Sequence, residues 1–105
     1  MICRLWRGWT TPENTEAYER IVRAEVIPGI EARQIPGFRH IDLMKRVSGD
    51  EVEFQTCMWF DSLDAIKAFM GEDYAVSHVP APARAVLKRF DELAAHYEVI
   101  DRRTQ

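Results

Sequence analysis

EVEFQTCMWFDSLDAIKAFMG, residues 51–71, changes its hydrophobic period once, and that change defines two elements and the joint between them. Up to Phe60 the period is two. Val52, Phe54, Thr56, Met58 and Phe60 fall on one side of an extended chain, and Glu51, Glu53, Gln55, Cys57 and Trp59 fall on the other. The first set reads as a core face, while the second turns apolar only towards Trp59. Asp61 or Ser62 then offers an N-cap, and Leu63, Ile66, Phe69 and Met70 recur at helical spacing until Gly71 stops the helix.

The same grammar extends outward. Ser48-Gly49-Asp50 is a short hairpin turn that joins this strand to another at residues 38–47. Pro36-Gly37 marks a break before it. Further upstream, Ile2 to Thr10 interleaves apolar residues with Arg4 and Arg7 and reads as a first strand. Thr11-Pro12-Glu13 opens a helix whose stripe is Tyr18, Ile21, Val22 and Val26. Pro28-Gly29 is predicted to interrupt that helix, because proline lacks an N–H and disfavours helical geometry at Ile27, and one more turn follows at residues 30–33. Downstream, residues 72–82 are irregular. Ala83, Val86, Leu87 and Phe90 then predict a short third helix, residues 93–100 a last strand, and residues 101–105 a polar tail.

The order β-α-β-β-α-(α)-β is the split βαβ of ferredoxin-like folds. It is an α+β domain over residues 1–105, with a four-stranded antiparallel sheet and its helices on one face. Leu5, Trp9, Trp59 and Tyr97 put apolar groups on the second face as well, which predicts a homodimer packed sheet to sheet.

Composition excludes several partners. The chain has 105 residues, 47% hydrophobic, with 14 Lys and Arg against 17 Asp and Glu for a net charge of -3. The charges are interspersed, so neither nucleic acid nor an anionic membrane is expected as a partner. MICRLWRGWT carries arginines where a secretion signal needs an apolar core, so a cytoplasmic protein is expected. Cys3 and Cys57 have neither framework nor metal-type spacing. They read as buried thiols, and a redox pair would require both on one face of adjacent strands.

The opening IxRLWRGxT, the PGF at residues 36–38, EFxTxxWFDSLDAIKAF at residues 53–69, the GED that follows and the closing HYEV together resemble the antibiotic biosynthesis monooxygenase family, in particular a group of short bacterial proteins. The resemblance spans nearly the whole chain. It implies a dimeric α+β barrel with a pocket between each sheet and its helices. It also implies oxidation of phenols or hydroquinones without flavin, haem or metal, while one branch of the family degrades haem.

The residues themselves contain no G-x-G-x-x-G, P-loop or G-x-S-x-G. His40, His78 and His96 lack metal-ligand spacing, so no metal and no cofactor are expected. His96 and Glu98 share a strand face and fit a general base with an orienting carboxylate; the alternative is a half-buried histidine beside a rim carboxylate. His78 lies near where the haem-degrading branch keeps its iron ligand, but that branch also uses an Asn on its first strand, and ICRLWRGWT has none. A solvent-facing loop histidine is therefore expected there. Trp6 and Trp59, with Phe54, Phe69 and Tyr74, are candidate walls of a flat aromatic pocket, against plain core or dimer packing. Arg4 would pair with a phenolate there, or else form a surface salt bridge. The composition is equally compatible with a non-catalytic dimer that binds a small hydrophobic molecule.

Overall fold

A computed structural model describes residues 1–105. The strands are β1 (Ile2–Thr10), β2 (Phe38–Ser48), β3 (Glu51–Phe60), β4 (Arg89–Phe90) and β5 (Ala95–Glu98). The α-helices are α1 (Thr15–Ile21), α2 (Ile27–Glu31), α3 (Leu63–Met70) and α4 (Ala81–Val86). The sheet runs β2-β3-β1-β4, and β5 also pairs with β1; every pairing is antiparallel. This is the expected α+β, ferredoxin-like arrangement. The molecule measures 37 × 33 × 22 Å, the depth of one sheet and one helix layer.

Gly49 takes φ 64° as the first residue of a two-residue turn between Ser48 and Glu51, which sets the β2–β3 register. That register puts Val52, Phe54, Met58 and Phe60 under the helices, all buried. Phe60 packs with Ile35, Ile66 and Phe69 in one core cluster, and Phe54 packs with Tyr18, Val22 and Ala83 in a second. At the start of α3 the Ser62 hydroxyl accepts the Ala65 N–H at 3.3 Å, and Gly71 ends the helix at φ 85°.

Three local expectations change. First, Pro28-Gly29 does not interrupt the helix. Val22–Val26 widens into a π turn in which the Ile27 N–H reaches Val22 O, five residues back, and the chain continues through Pro28 into α2. The wider turn gives the proline ring space that an α turn would deny it. Second, the α-helix does not open at Thr11-Pro12-Glu13. A 3-10 turn, Pro12–Asn14, precedes α1.

Third, the helix after the prolines spans Ala81–Val86, so Phe90 lies outside it. The free edge of β1 captures the next residues: Lys88 N–H donates to Trp9 O at 2.8 Å, Asp91 N–H to Arg7 O at 2.9 Å, and Phe90 pairs with Gly8. Between the pairs Gly8–Phe90 and Leu5–Ala95, Trp6 and Arg7 face residues 91–94, a bulge of two extra residues that shortens the last strand to Ala95–Glu98. The bulge clasps the preceding loop through a Val76–Leu93 bridge, Ser77 N–H to Glu92 O at 3.0 Å and Ala94 N–H to Ala75 O at 2.7 Å.

No helix layer covers the sheet's second face, which carries Cys3, Leu5, Trp9, Cys57, Trp59 and Tyr97. Arginines partly roof it. The guanidinium of Arg89 lies 3.8 Å and that of Arg7 5.2 Å from the Trp9 ring, and Arg102 lies 5.2 Å from Trp59. Cys3 and Cys57 are free, buried and on this one face of adjacent strands. Their position meets the condition set for a redox pair, but burial and the neighbouring Cys57 push the Cys3 thiol up to about 11, which keeps it protonated and unreactive at neutral pH.

Candidate functional site

A narrow cavity of about 50 Å³ opens between the helix face of the sheet and the α1–α2 rod. β1 supplies Arg4 and Trp6, β3 supplies Thr56 and Met58, α1 supplies Tyr18, α3 supplies Phe69, and the loop before α4 supplies His78 and Val79. No Asp or Glu lines it.

Arg4 is the unusual member. It is only 3% exposed, and it takes part in none of the chain's ion pairs. A buried cation is costly unless its N–H groups find acceptors. Here Nη1 donates to Tyr74 O and, at 3.0 Å, to His96 Nε2, while Nη2 donates to Val76 O at 2.8 Å. The face of Phe69 lies 5.6 Å from the guanidinium carbon. Burial draws the guanidinium down to about 10, which still leaves it charged at neutral pH. A guanidinium has five N–H groups, so Nε and one hydrogen of Nη2 remain without an acceptor in the chain.

The two nearby histidines are held neutral. His96 pairs with Arg4 across β5 and β1, and burial and then Arg4 push its imidazole below the usual range. As the acceptor of an Arg4 N–H, its Nε2 must be unprotonated. His78 lines the cavity from the loop before α4, edge-on to Phe69 at 5.3 Å, and is exposed to solvent as the sequence predicts. Burial, Arg33 and Arg4 lower it in that order. Tyr18 is 2% exposed, and burial pushes its phenol up. The Trp6 ring lies over Gly8, with its indole N–H on Asp91 O at 2.8 Å.

Of the residues singled out in the sequence, Arg4, Trp6 and Phe69 meet in this cavity. His96 is one side chain behind it, on Arg4. Tyr74 packs edge-on against His96 at 5.2 Å and contributes its carbonyl to Arg4. Phe54 is buried against Tyr18 at 4.7 Å. Glu98 is exposed two residues beyond His96. Trp59 lies on the opposite face, its indole N–H on Asp42 at 3.1 Å. Tyr18, Thr56 and His78 line the cavity although the sequence marked them as stripe, core strand and loop. The signal for Tyr18 was a phenol within an otherwise apolar helix stripe, since a buried tyrosine normally finds a partner for its hydroxyl.

A search of protein-family models finds no match, and a search of curated proteins finds no relative. Solved structures do match. The structure of Rv0793 from Mycobacterium tuberculosis has a TM-score of 0.62 at 18% identity, covering 98% of each chain. The ActVA-Orf6 monooxygenase of Streptomyces coelicolor, solved with nanaomycin D, has a TM-score of 0.61 at 13% identity, covering 99% of this chain and 91% of its own. The fold is that of the antibiotic biosynthesis monooxygenases. SnoaB, a cofactor-independent oxygenase from Streptomyces nogalater, shares this monooxygenase fold with a TM-score of 0.55 at 18% identity, covering 98% of this chain and 95% of its own. No helix of the chain is long and apolar enough to cross a membrane.

Proposed function

We propose that the chain is a cofactor-independent monooxygenase of a small phenolic, quinol or polyketide-like aromatic substrate. It acts in the cytoplasm as a homodimer of the 1–105 domain. The supporting observation is the buried Arg4 cation at the wall of an apolar slot, with two uncharged imidazoles beside it. In such a slot a phenol transfers its proton to an imidazole, and its phenolate is stabilised by the guanidinium. The electron-rich anion reduces O₂ by one electron. The resulting substrate radical and superoxide combine to form a C–O bond, and loss of water from the hydroperoxide leaves a quinone. The sum is phenol plus O₂ to quinone plus water, with the substrate as the only reductant.

The cavity favours His78 as the proton acceptor and gives His96 the part of fixing Arg4; the HYEV resemblance favours His96 with Glu98. One pair of variants separates the two assignments. O₂ uptake is followed with a panel of naphthols and hydroquinones in wild type, His78→Ala and His96→Ala. Loss of about a hundredfold or more is expected for the base. A positioning role for His96 predicts a smaller loss, recovered in part by His96→Gln, whose side-chain oxygen again accepts from Arg4. Tight binding without O₂ uptake across the panel would instead identify a ligand-binding protein, and a specific Soret band with hemin would identify a haem protein.

A further inference from the structure

We infer that the ligand of this cavity carries an oxygen anion on a flat apolar body, and that Arg4 is its counter-ion. The inference names the ligand class of the site proposed above and rests on that site being a ligand pocket, but on no reaction there.

Four observations carry it. Arg4 is a buried charge with no carboxylate partner in the chain, a condition that folded proteins rarely sustain without a bound or mobile counter-charge. Its three hydrogen bonds all go to neutral acceptors, so its charge is uncompensated even where its N–H groups are satisfied. Two N–H groups, on Nε and Nη2, lack acceptors, and a carboxylate or an acidic phenolate accepts from that fork. Finally, the field at the cavity has one sign. The Arg33 guanidinium lies 5.1 Å from the ring of Phe69, a wall residue, and no acidic residue lines the wall. The rest of the lining selects the body: Trp6, Met58, Phe69, Val22 and Ile27 offer only apolar surface.

The alternative is that Arg4 is purely architectural, a tie between β1 and the 74–76 loop. Both roles need the guanidinium, so the test reads selectivity for charge rather than loss of fold. Benzoate and 2-naphthoate are compared with benzamide and 2-naphthamide, which match them in shape and lack the charge. Binding is followed by quenching of Trp6 fluorescence and by the Arg4 Nε–H resonance of the ¹⁵N-labelled protein. Each carboxylate is expected to bind at least about tenfold tighter than its amide and to shift the Nε–H resonance. Arg4→Lys should keep part of that preference, and Arg4→Met should abolish it.

Equal affinity within the pairs, or no binding of either carboxylate to the wild type, overturns the inference, and neither result depends on a variant folding. Carboxylate selectivity without O₂ uptake from any phenol would leave this inference standing while the oxygenase reading fails. O₂ uptake from phenols without carboxylate selectivity would do the reverse.

Discussion

Gly8 shows how closely the site depends on single atoms. A Cβ built there would lie 2.7 Å from the Trp6 ring and 3.0 Å from Leu87 Cδ2, so the absent side chain is what lets the indole lie along its own strand. Gly8→Ala should displace Trp6, shift its emission and weaken ligand quenching, while the fold survives; unchanged emission and binding would refute that role. The two histidines have a measurable consequence of their own. Both sit below the usual imidazole range in the folded chain, beside Arg4 and, for His78, Arg33. The unfolded chain returns them to about 6.5. As pH falls through that value the unfolded state binds protons that the folded state refuses, so stability drops; above neutrality these groups contribute no slope. Tm should therefore be lower at about pH 5.5 than at about pH 7.5, and replacing both histidines with Asn should flatten the difference. The ion-paired carboxylates Glu19, Glu51 and Asp61 lose their contribution only at lower pH, because their folded values are depressed from an already acidic range.

At the scale of elements, what could be read was whatever local period dictates. β1 and β3 match their predicted spans because alternation over nine and ten residues has one register that buries Phe54 and Phe60. The misses lie where tertiary contact overrode local preference. The proline at 28 stays helical because a π turn absorbs it, and no residue pattern announces that turn. Phe90 has helical spacing from Ala83, but the unpaired edge of β1 offers backbone hydrogen bonds that one more helical turn could not match. The site divides along the same line. Arg4, Trp6 and Phe69 lie on elements whose sidedness is periodic. Trp59 is on an equally regular strand, but at an odd register, and its side chain therefore faces away from the cavity. His78 lies in a loop, where no period applies, and the clasp from the 91–94 bulge holds the chain just before it.

For the whole molecule, the 22 Å depth leaves one sheet face without a second layer. Tyr97 is 59% exposed on it, on the same face as the roofed Trp9 and Trp59. Light scattering is expected to give about twice the 12.2 kDa of one chain, and Tyr97→Glu to return the monomer; a monomeric wild type would rule out sheet-to-sheet pairing. The clasp has a consequence of a different kind. A cavity of about 50 Å³ admits a few water molecules but no bicyclic ring, so something must yield on entry. Residues 75–77 are pinned to the bulge and Arg84 N–H holds Pro80 O at 3.0 Å, which leaves the short span bearing His78 and Val79 as the wall with least to break. Arrival would then wait on the protein's own breathing rather than on collision. The observed association rate should climb with ligand concentration and then level off at the frequency with which that span lifts.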